Sequence, residues 1–305
     1  MTEQWIRSVN VELGEGGPLA LGGFAVGATD AGSLRMTFRV ERDEKPYPNS
    51  VRVQVYNLSP DHRKYLEDKQ GIPCRITAGY RESDGVIFAG MLREAHSEHA
   101  GADWITTIEG GDGELNRDGD PLASGSISKT WKRGTPLAKV VQDFAAELKV
   151  DPGTSTIASA AASLITGPAL AVALSVDGPI LDEMTHFMRS VGLAWSVQDS
   201  ALQVRVADAP SGIAPVISPL TGLVGTTEVR TRKITKRNLI TKKKERTKVT
   251  VCTGKCLLLP GLLPGQQLIV QGAATGAPAL YLCTSVRHVG DTHGIDWYTE
   301  FEGQL

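Results

Sequence analysis

Residues 34–58 read LRMTFRVERDEKPYPNSVRVQVYNL, and two alternations run through them. Leu34, Met36, Phe38 and Val40 occupy every second position, as do Val51, Val53 and Val55, with Pro46 and the turn-forming Pro48-Asn49-Ser50 between. Neighbouring side chains of a strand point to opposite faces, so the segment predicts a pair of half-buried strands. Immediately after, Ser59 stands at an N-cap position, Pro60 in the first turn and Asp61 next, which predicts a short helix ending at Gly71.

Strand signals resume in CRITAGY (74–80), GVIFAGMLREAHSEH (85–99) and DWITTIEGGDGEL (103–115), each bounded by glycine or acidic turn residues. Residues 1–125 therefore read as a mostly antiparallel β-domain, a barrel or sandwich with one small helix. The pattern then changes. Thr135-Pro136 opens a helix in which Leu137, Val140, Val141, Phe144, Ala145 and Leu148 recur at helical spacing. An alanine-rich stretch follows, then a second amphipathic helix carrying Ile180, Leu181, Met184, Phe187 and Met188 and ended by Gly192. Two short strands, LAWSVQ and ALQVRVA, turn at Asp199-Ser200. Residues 126–208 are thus an α/β module, and 209–305 return to β-patterning in GTTEVRTRKIT, RTKVTVCTG, GQQLIVQG, LYLCTSVRHVG and DWYTEFEG. The fold class is mainly β, two β-domains flanking a helical α/β insert.

A chain of 305 residues is long enough for two or three domains, and its formal net charge of −2 gives no global argument for nucleic acid or membrane. No stretch approaches the ~20 apolar residues of a membrane-spanning helix; the nearest candidate, 163–176, is broken by Gly167-Pro168. Acids stand near the N-terminus where a signal peptide needs a basic start, so synthesis in the cytoplasm is expected. The four cysteines suit a reducing compartment rather than a disulfide scaffold.

Three chemical readings compete with structural ones. Cys252, Cys256, His288 and His293 could form a Cys2His2 zinc site, but the cysteines lack the tight CxxC spacing and sit in a strand pattern typical of buried core thiols. Asp112, Glu114 and Glu109 could supply an acid–base pair, although glycine and aspartate alternate in ordinary turns. GxSxG, HExxH, Walker and GxGxxG motifs are missing. The segment 229–249, VRTRKITKRNLITKKKERTKV, holds ten Lys/Arg, among them Arg230, Arg232, Lys233, Lys236, Arg237, Lys242, Lys243 and Lys244, against Glu245 alone. It reads as a phosphate-facing surface, a charged ribbon resisting edge pairing, or a site for an acidic protein; no aromatic is interleaved to stack bases.

In order and spacing, VRVQVYNLSPDHRKYL, CRITAGYRESDGVIFAGMLREAHSEHAGADWITTIEGGDGE and VRHVGDTHGIDWYTEFEG, the last preceded by LLLPGLLPGQQL, resemble the baseplate hub family of tailed bacteriophages, T4-hub-like and Mu-like. The likeness covers 34–120 and 216–303; the lysine-rich insert near 242–248 departs from it. The resemblance implies a non-enzymatic homotrimer without cofactor, in which each chain contributes two tube-type β-domains. Such a trimer would join a hexameric tail tube or distal tail protein to a trimeric central spike and pass tape-measure protein and then DNA. It implies a virion location in the tail baseplate, with assembly in the host cytoplasm. The rival classes are a tail-associated cell-wall hydrolase or zinc-dependent peptidase, and a free nucleic-acid-binding protein. On the hub reading, Trp297, Tyr298 and Phe301 alternate across a final strand, Gly290 and Gly294 shape the preceding turn, and His288, Asp291, His293 and Asp296 hold it through side-chain hydrogen bonds. The parallel between DWITTIE (103–109) and DWYTEFE (296–302) is an internal repeat supporting two related β-domains. Part of 230–248 is expected to face the passage or a neighbouring tail protein.

Overall fold

The computed structural model describes residues 6–14, 24–28, 34–113, 125–150, 165–237, 244–271 and 279–305. The first third carries β1 (Arg7–Leu13), β2 (Phe24–Ala28), β3 (Met36–Asp43), β4 (Ser50–Tyr56), α1 (Pro60–Glu67), β5 (Pro73–Tyr80), β6 (Gly85–Ala100) and β7 (Asp103–Gly111). The middle has β8 (Ser126–Trp131), α2 (Leu137–Glu147), β9 (Leu174–Pro179), α3 (Ile180–Ser190), β10 (Leu193–Gln198) and β11 (Ala201–Val206). The last third has β12 (Gly212–Ile217), β13 (Leu223–Arg237), β14 (Lys244–Leu257), β15 (Gln266–Val270), β16 (Ala279–Asp291) and β17 (Trp297–Gln304). The architecture is mainly β.

The two alternating runs of 34–58 form β3 and β4, antiparallel, with Met36, Phe38, Val40, Val51, Val53 and Val55 all buried. Ser59 caps α1, its hydroxyl accepting the His62 N–H. The helix ends at Glu67, four residues before Gly71, whose N–H bonds the Leu92 carbonyl instead. In α2 and α3 every apolar position of the helical pattern is buried, and the helices pack on two antiparallel strand pairs, β8–β9 and the hairpin β10–β11. Asp199 and Ser200 take φ of 54° and 62°, the pair of left-handed residues that a two-residue hairpin turn needs to match strand twist.

One sheet runs β13-β14-β17-β16-β3-β4-β7-β6-β5-β1-β2, with β15 beside β16 and β12 beside β15. Within it the order β3-β4-β7-β6-β5 is repeated by β13-β14-β17-β16-β15. The repetition extends to register. A bulge interrupts β6 between Leu92 and Glu94, opposite Glu109-Gly110, and another interrupts β16 between Cys283 and Ser285, opposite Glu302-Gly303. The DW repeat thus occupies equivalent strands, β7 and β17. The copies differ at their margins: β1 joins β5 antiparallel whereas β12 joins β15 parallel, and α1 is replaced by a turn-rich 258–265.

β3 and β16 pair directly from Ser285↔Asp43 to Asp291↔Thr37, so the first and second copies share one sheet. The first apolar core, built from β1 and β3–β7, also takes in Leu258 and Trp297 from the last third. A second core lies in the middle module, and a third beneath β12–β17 contains Cys252, Cys256 and Cys283.

Candidate interaction face and junctions

Residues directly opposite in paired strands share a face. One row across β6, β7, β4 and β3 is Glu94, Glu109, Arg52 and Arg39; the next, across β3, β16, β17 and β14, is Glu41, Arg287, Glu300 and Lys255. Ion pairs stitch these rows: Arg287 reaches Glu41 at 3.1 Å and Glu300 at 3.0 Å, Lys255 reaches Glu300 at 3.9 Å, and Arg52 reaches Glu109 at 3.6 Å. All are half-exposed, so each contributes under about 1 kcal/mol to stability. Their main effect is to leave a broad face carrying charge of both signs. A groove of about 740 Å³ opens on it between the β3–β4 turn and β13–β14, lined by charges of both signs including Lys45, Glu228 and Glu302.

The basic segment meets this face in part. Arg232 lies 3.8 Å from Glu302 and Arg230 pairs with Glu228; Lys233 is exposed. Lys236 and Arg237 lie on β13 and Lys244 on β14, while Lys242 and Lys243 fall outside the described residues.

The β16–β17 turn is tied to the first third of the chain. Asp291 accepts the His293 N–H at 2.9 Å and pairs with Arg35 at 2.7 Å. Burial opposes ionisation of Asp291, but the bonds from Arg35 and His293 outweigh it and hold its carboxyl below the usual range. Asp296 bonds through its backbone oxygen, which accepts the Asp291 N–H. Arg7 donates to the carbonyls of Asp291 and Gly294, and Met36 exchanges bonds with Thr292. Trp297 packs edge-on to Phe38 at 5.3 Å and donates its indole N–H to the Gly79 carbonyl. This contact joins β17 to β5, the far side of the first core, and so closes that core. Tyr298 points the other way, its ring 3.8 Å from the Lys255 ammonium.

His288 lies outside the turn, fully buried on β16. Its Nδ1 meets the Thr299 hydroxyl at 2.9 Å, and Thr299 also accepts the Leu259 N–H. Burial, helped by Arg42, lowers its pKa to about 3, so the ring is neutral. Thr299 stands opposite both His288 and Cys256, which places a whole strand, about 10 Å, between the latter two. His293 is exposed in the turn. Among the described residues no three of His, Cys, Asp and Glu are grouped to hold a metal ion. Burial raises the thiol pKa of Cys252, and that of Cys256 to about 12.

The middle module docks through a polar junction that sequence reasoning missed. Arg42, 2% exposed, pairs with Asp199 at the β10–β11 tip, and Asp199 also accepts the Ala89 N–H. Asn49 donates to Asp112, Val197 O and Gln198, while Arg205 pairs with Glu44 at 2.7 Å. Asp112, one of the candidate acids, is 2% exposed, and burial raises its pKa to about 7. Glu109 instead lies half-exposed on the charged face, and Glu114 falls outside the described residues. The available signal was Asp199 itself, a charged residue at a turn whose partner could only be found in three dimensions.

Neither a family model nor a curated protein matches the sequence. Solved structures do. The 43 kDa tail protein of prophage MuSo2 from Shewanella oneidensis superimposes with a TM-score of 0.63 at 10% identity, over 97% of this chain and 98% of that one. A tail protein from Neisseria meningitidis MC58 gives 0.60 at 12% identity, over 98% and 96%. The E. coli c3393 protein, a component of the type VI secretion system, gives 0.55 at 13%, over 88% and 73%. The chain therefore shares its fold, over nearly its whole length, with phage tail proteins.

Proposed function

We propose that the chain is a structural baseplate hub of a phage tail or related injection device. It acts as a homotrimer that joins a hexameric tail tube to a trimeric central spike and forms part of the channel. The observation that carries this reading is the duplicated strand order with its matched bulges: three chains bearing two like units each present six to a sixfold partner and three to a threefold one. On this reading residues 1–125 and 209–305 are the two tube-type units and 126–208 the module beside them. The two rows that hold Arg39, Arg52 and Glu109 and Arg287 and Glu300 face the passage, where mixed charge lets tape-measure protein and then DNA pass without adhering. Arg230 and Arg232, with the basic residues beyond them, face that passage or a neighbouring tail protein. The hub functions in the virion baseplate after assembly in the host cytoplasm.

Native mass spectrometry of the purified chain tests the proposal. A metal-free trimer is expected. A zinc-loaded monomer that lyses peptidoglycan overturns it in favour of a tail-associated hydrolase or peptidase.

A further inference from the structure

Among the described residues the middle module docks on only one of the two copies. Its β10–β11 tip spans from β3 to β6. Asp199 pairs with Arg42 and accepts the Ala89 N–H, Ser200 Oγ donates to the Ala89 carbonyl, Gln198 donates to the Asp43 carbonyl, and Arg205 pairs with Glu44. Register fixes the matching place on the second copy. Gly110 faces Val51, which faces Val40, and Gly303 faces Cys252, which faces Val229. Counted from these positions and from the two bulges, Ala89 corresponds to Leu280, Asp43 to Arg232, Glu44 to Lys233, Asn49 to Thr250 and Asp112 to Leu305. A shared backbone bond bears this out: the Asp112 N–H donates to the Asn49 carbonyl at 3.2 Å, and the Leu305 N–H donates to the Thr250 carbonyl at 2.9 Å.

The two places differ in chemistry. On the first copy the row across β6, β5 and β1 is Ala89, Arg75 and Glu12; on the second, across β16, β15 and β12, it is Leu280, Ile269 and Val216. Leu280 is 49% exposed. Glu44, which takes the module's Arg205, is replaced by Lys233, exposed and directly opposite the exposed Lys248, and Asp43 is replaced by Arg232. Like charges directly opposed across two strands destabilise the ribbon that carries them, so the lysine pair is held at a cost that an anionic partner would relieve. An exposed apolar row beside such a pair suits a partner that brings apolar side chains and carboxylates together. The module of a second copy does not fit, because it would set Arg205 against Lys233.

We infer that this end of the second copy is a docking site for an acidic loop or hairpin of a different tail protein, seated on Leu280, Ile269 and Val216 with its carboxylates against Lys233 and Lys248. The site rests on the hub reading and names one of the hub's contacts.

Carbodiimide coupling, which joins an amine to a carboxylate in direct contact, tests this on wild-type tail particles that contain the chain. Peptide mass spectrometry should find Lys233 or Lys248 joined to an Asp or Glu of another tail protein. Lys233→Glu combined with Lys248→Glu should cut incorporation of the chain into tails by at least ~10-fold, since like charges set against each other at an interface cost more than one decade of affinity. The isolated double variant should keep the oligomeric state of the wild type, which separates lost docking from lost folding. No link at either lysine, links only to copies of this chain, ultraviolet cross-links to nucleic acid in their place, or tails that take up the double variant at the wild-type level would each overturn the docking site and leave the hub reading standing. Absence of the chain from tail particles overturns both.

Discussion

Trp297 and Gly79, 218 positions apart in the chain, are joined by an indole N–H···O bond of 3.0 Å buried between β17 and β5. The last strand therefore completes the core of the first unit. Trp297→Phe keeps most of the packing but orphans the Gly79 carbonyl, and should cost about 1–2 kcal/mol. Trp297→Ala also opens a cavity beside Phe38 and should cost about 3–5 kcal/mol, with urea unfolding as the readout.

Arg42 is the buried cation of the module junction. Arg42→Met removes the cation that pairs with Asp199 and that favours the ionised form of Asp112. Because the Asp199 side chain keeps 30% exposure, the expected loss is at the lower end for a broken buried pair, about 3 kcal/mol. Asp199→Asn in the same background should recover part of it; additive losses from the two substitutions would show that the pair is not coupled.

Asp112 and His288 should pull stability in opposite directions with pH. The native pKa of Asp112, about 7, lies above its ordinary 3.8, so between those values the folded chain holds a proton that the unfolded chain has released, and stability falls as pH rises. The native pKa of His288, about 3, lies below its ordinary 6.5, so the unfolded chain takes up a proton that the folded one refuses, and stability falls as pH drops. Where the windows overlap, from 3.8 to 6.5, the two effects cancel. Asp112→Asn should unmask a rise of about 1.4 kcal/mol per pH unit, and His288→Gln a fall of the same size. Denaturant titrations from pH 4 to about 6.5 check this; parallel profiles for wild type and both variants would refute it.

Gly110 and Gly303 occupy equivalent positions opposite the two bulges. A Cβ on Gly110 would lie 2.9 Å from Val51 Cγ1, and one on Gly303 would lie 2.8 Å from Tyr281 Cβ. Gly110→Ala and Gly303→Ala should each destabilise by about 1–3 kcal/mol through overpacking. A thermal melt in which only one of them shifts would show that the two copies are not packed alike.

Much of the fold was legible because strands with one buried face carry period-two patterns and the two helices carry period-3.6 ones; β3, β4, α2 and α3 follow directly. β1 carries the same signal in Val9, Val11 and Leu13, all buried. β8 and β9 were missed, since short strands that pair with each other 43 or more residues apart announce themselves weakly. His288 shares its parity with Val286, which is buried, and parity rather than proximity to Asp291 decides its place. The β3–β16 joint and the Arg42–Asp199 pair were illegible, because a local pattern records which face is buried and not which distant strand lies beside it.

That joint has a temporal side. A ribosome delivers β3 some 240 residues before β16 exists, and the first unit's core lacks its tryptophan until position 297 is made. The N-terminal third must therefore wait, with one strand edge and one end of its core open, until β16 and β17 have been made. Synthesis of β16 and β17 is thereby the event that shuts the first unit, and a chain terminated before them would lack both the strand and the aromatic that complete it.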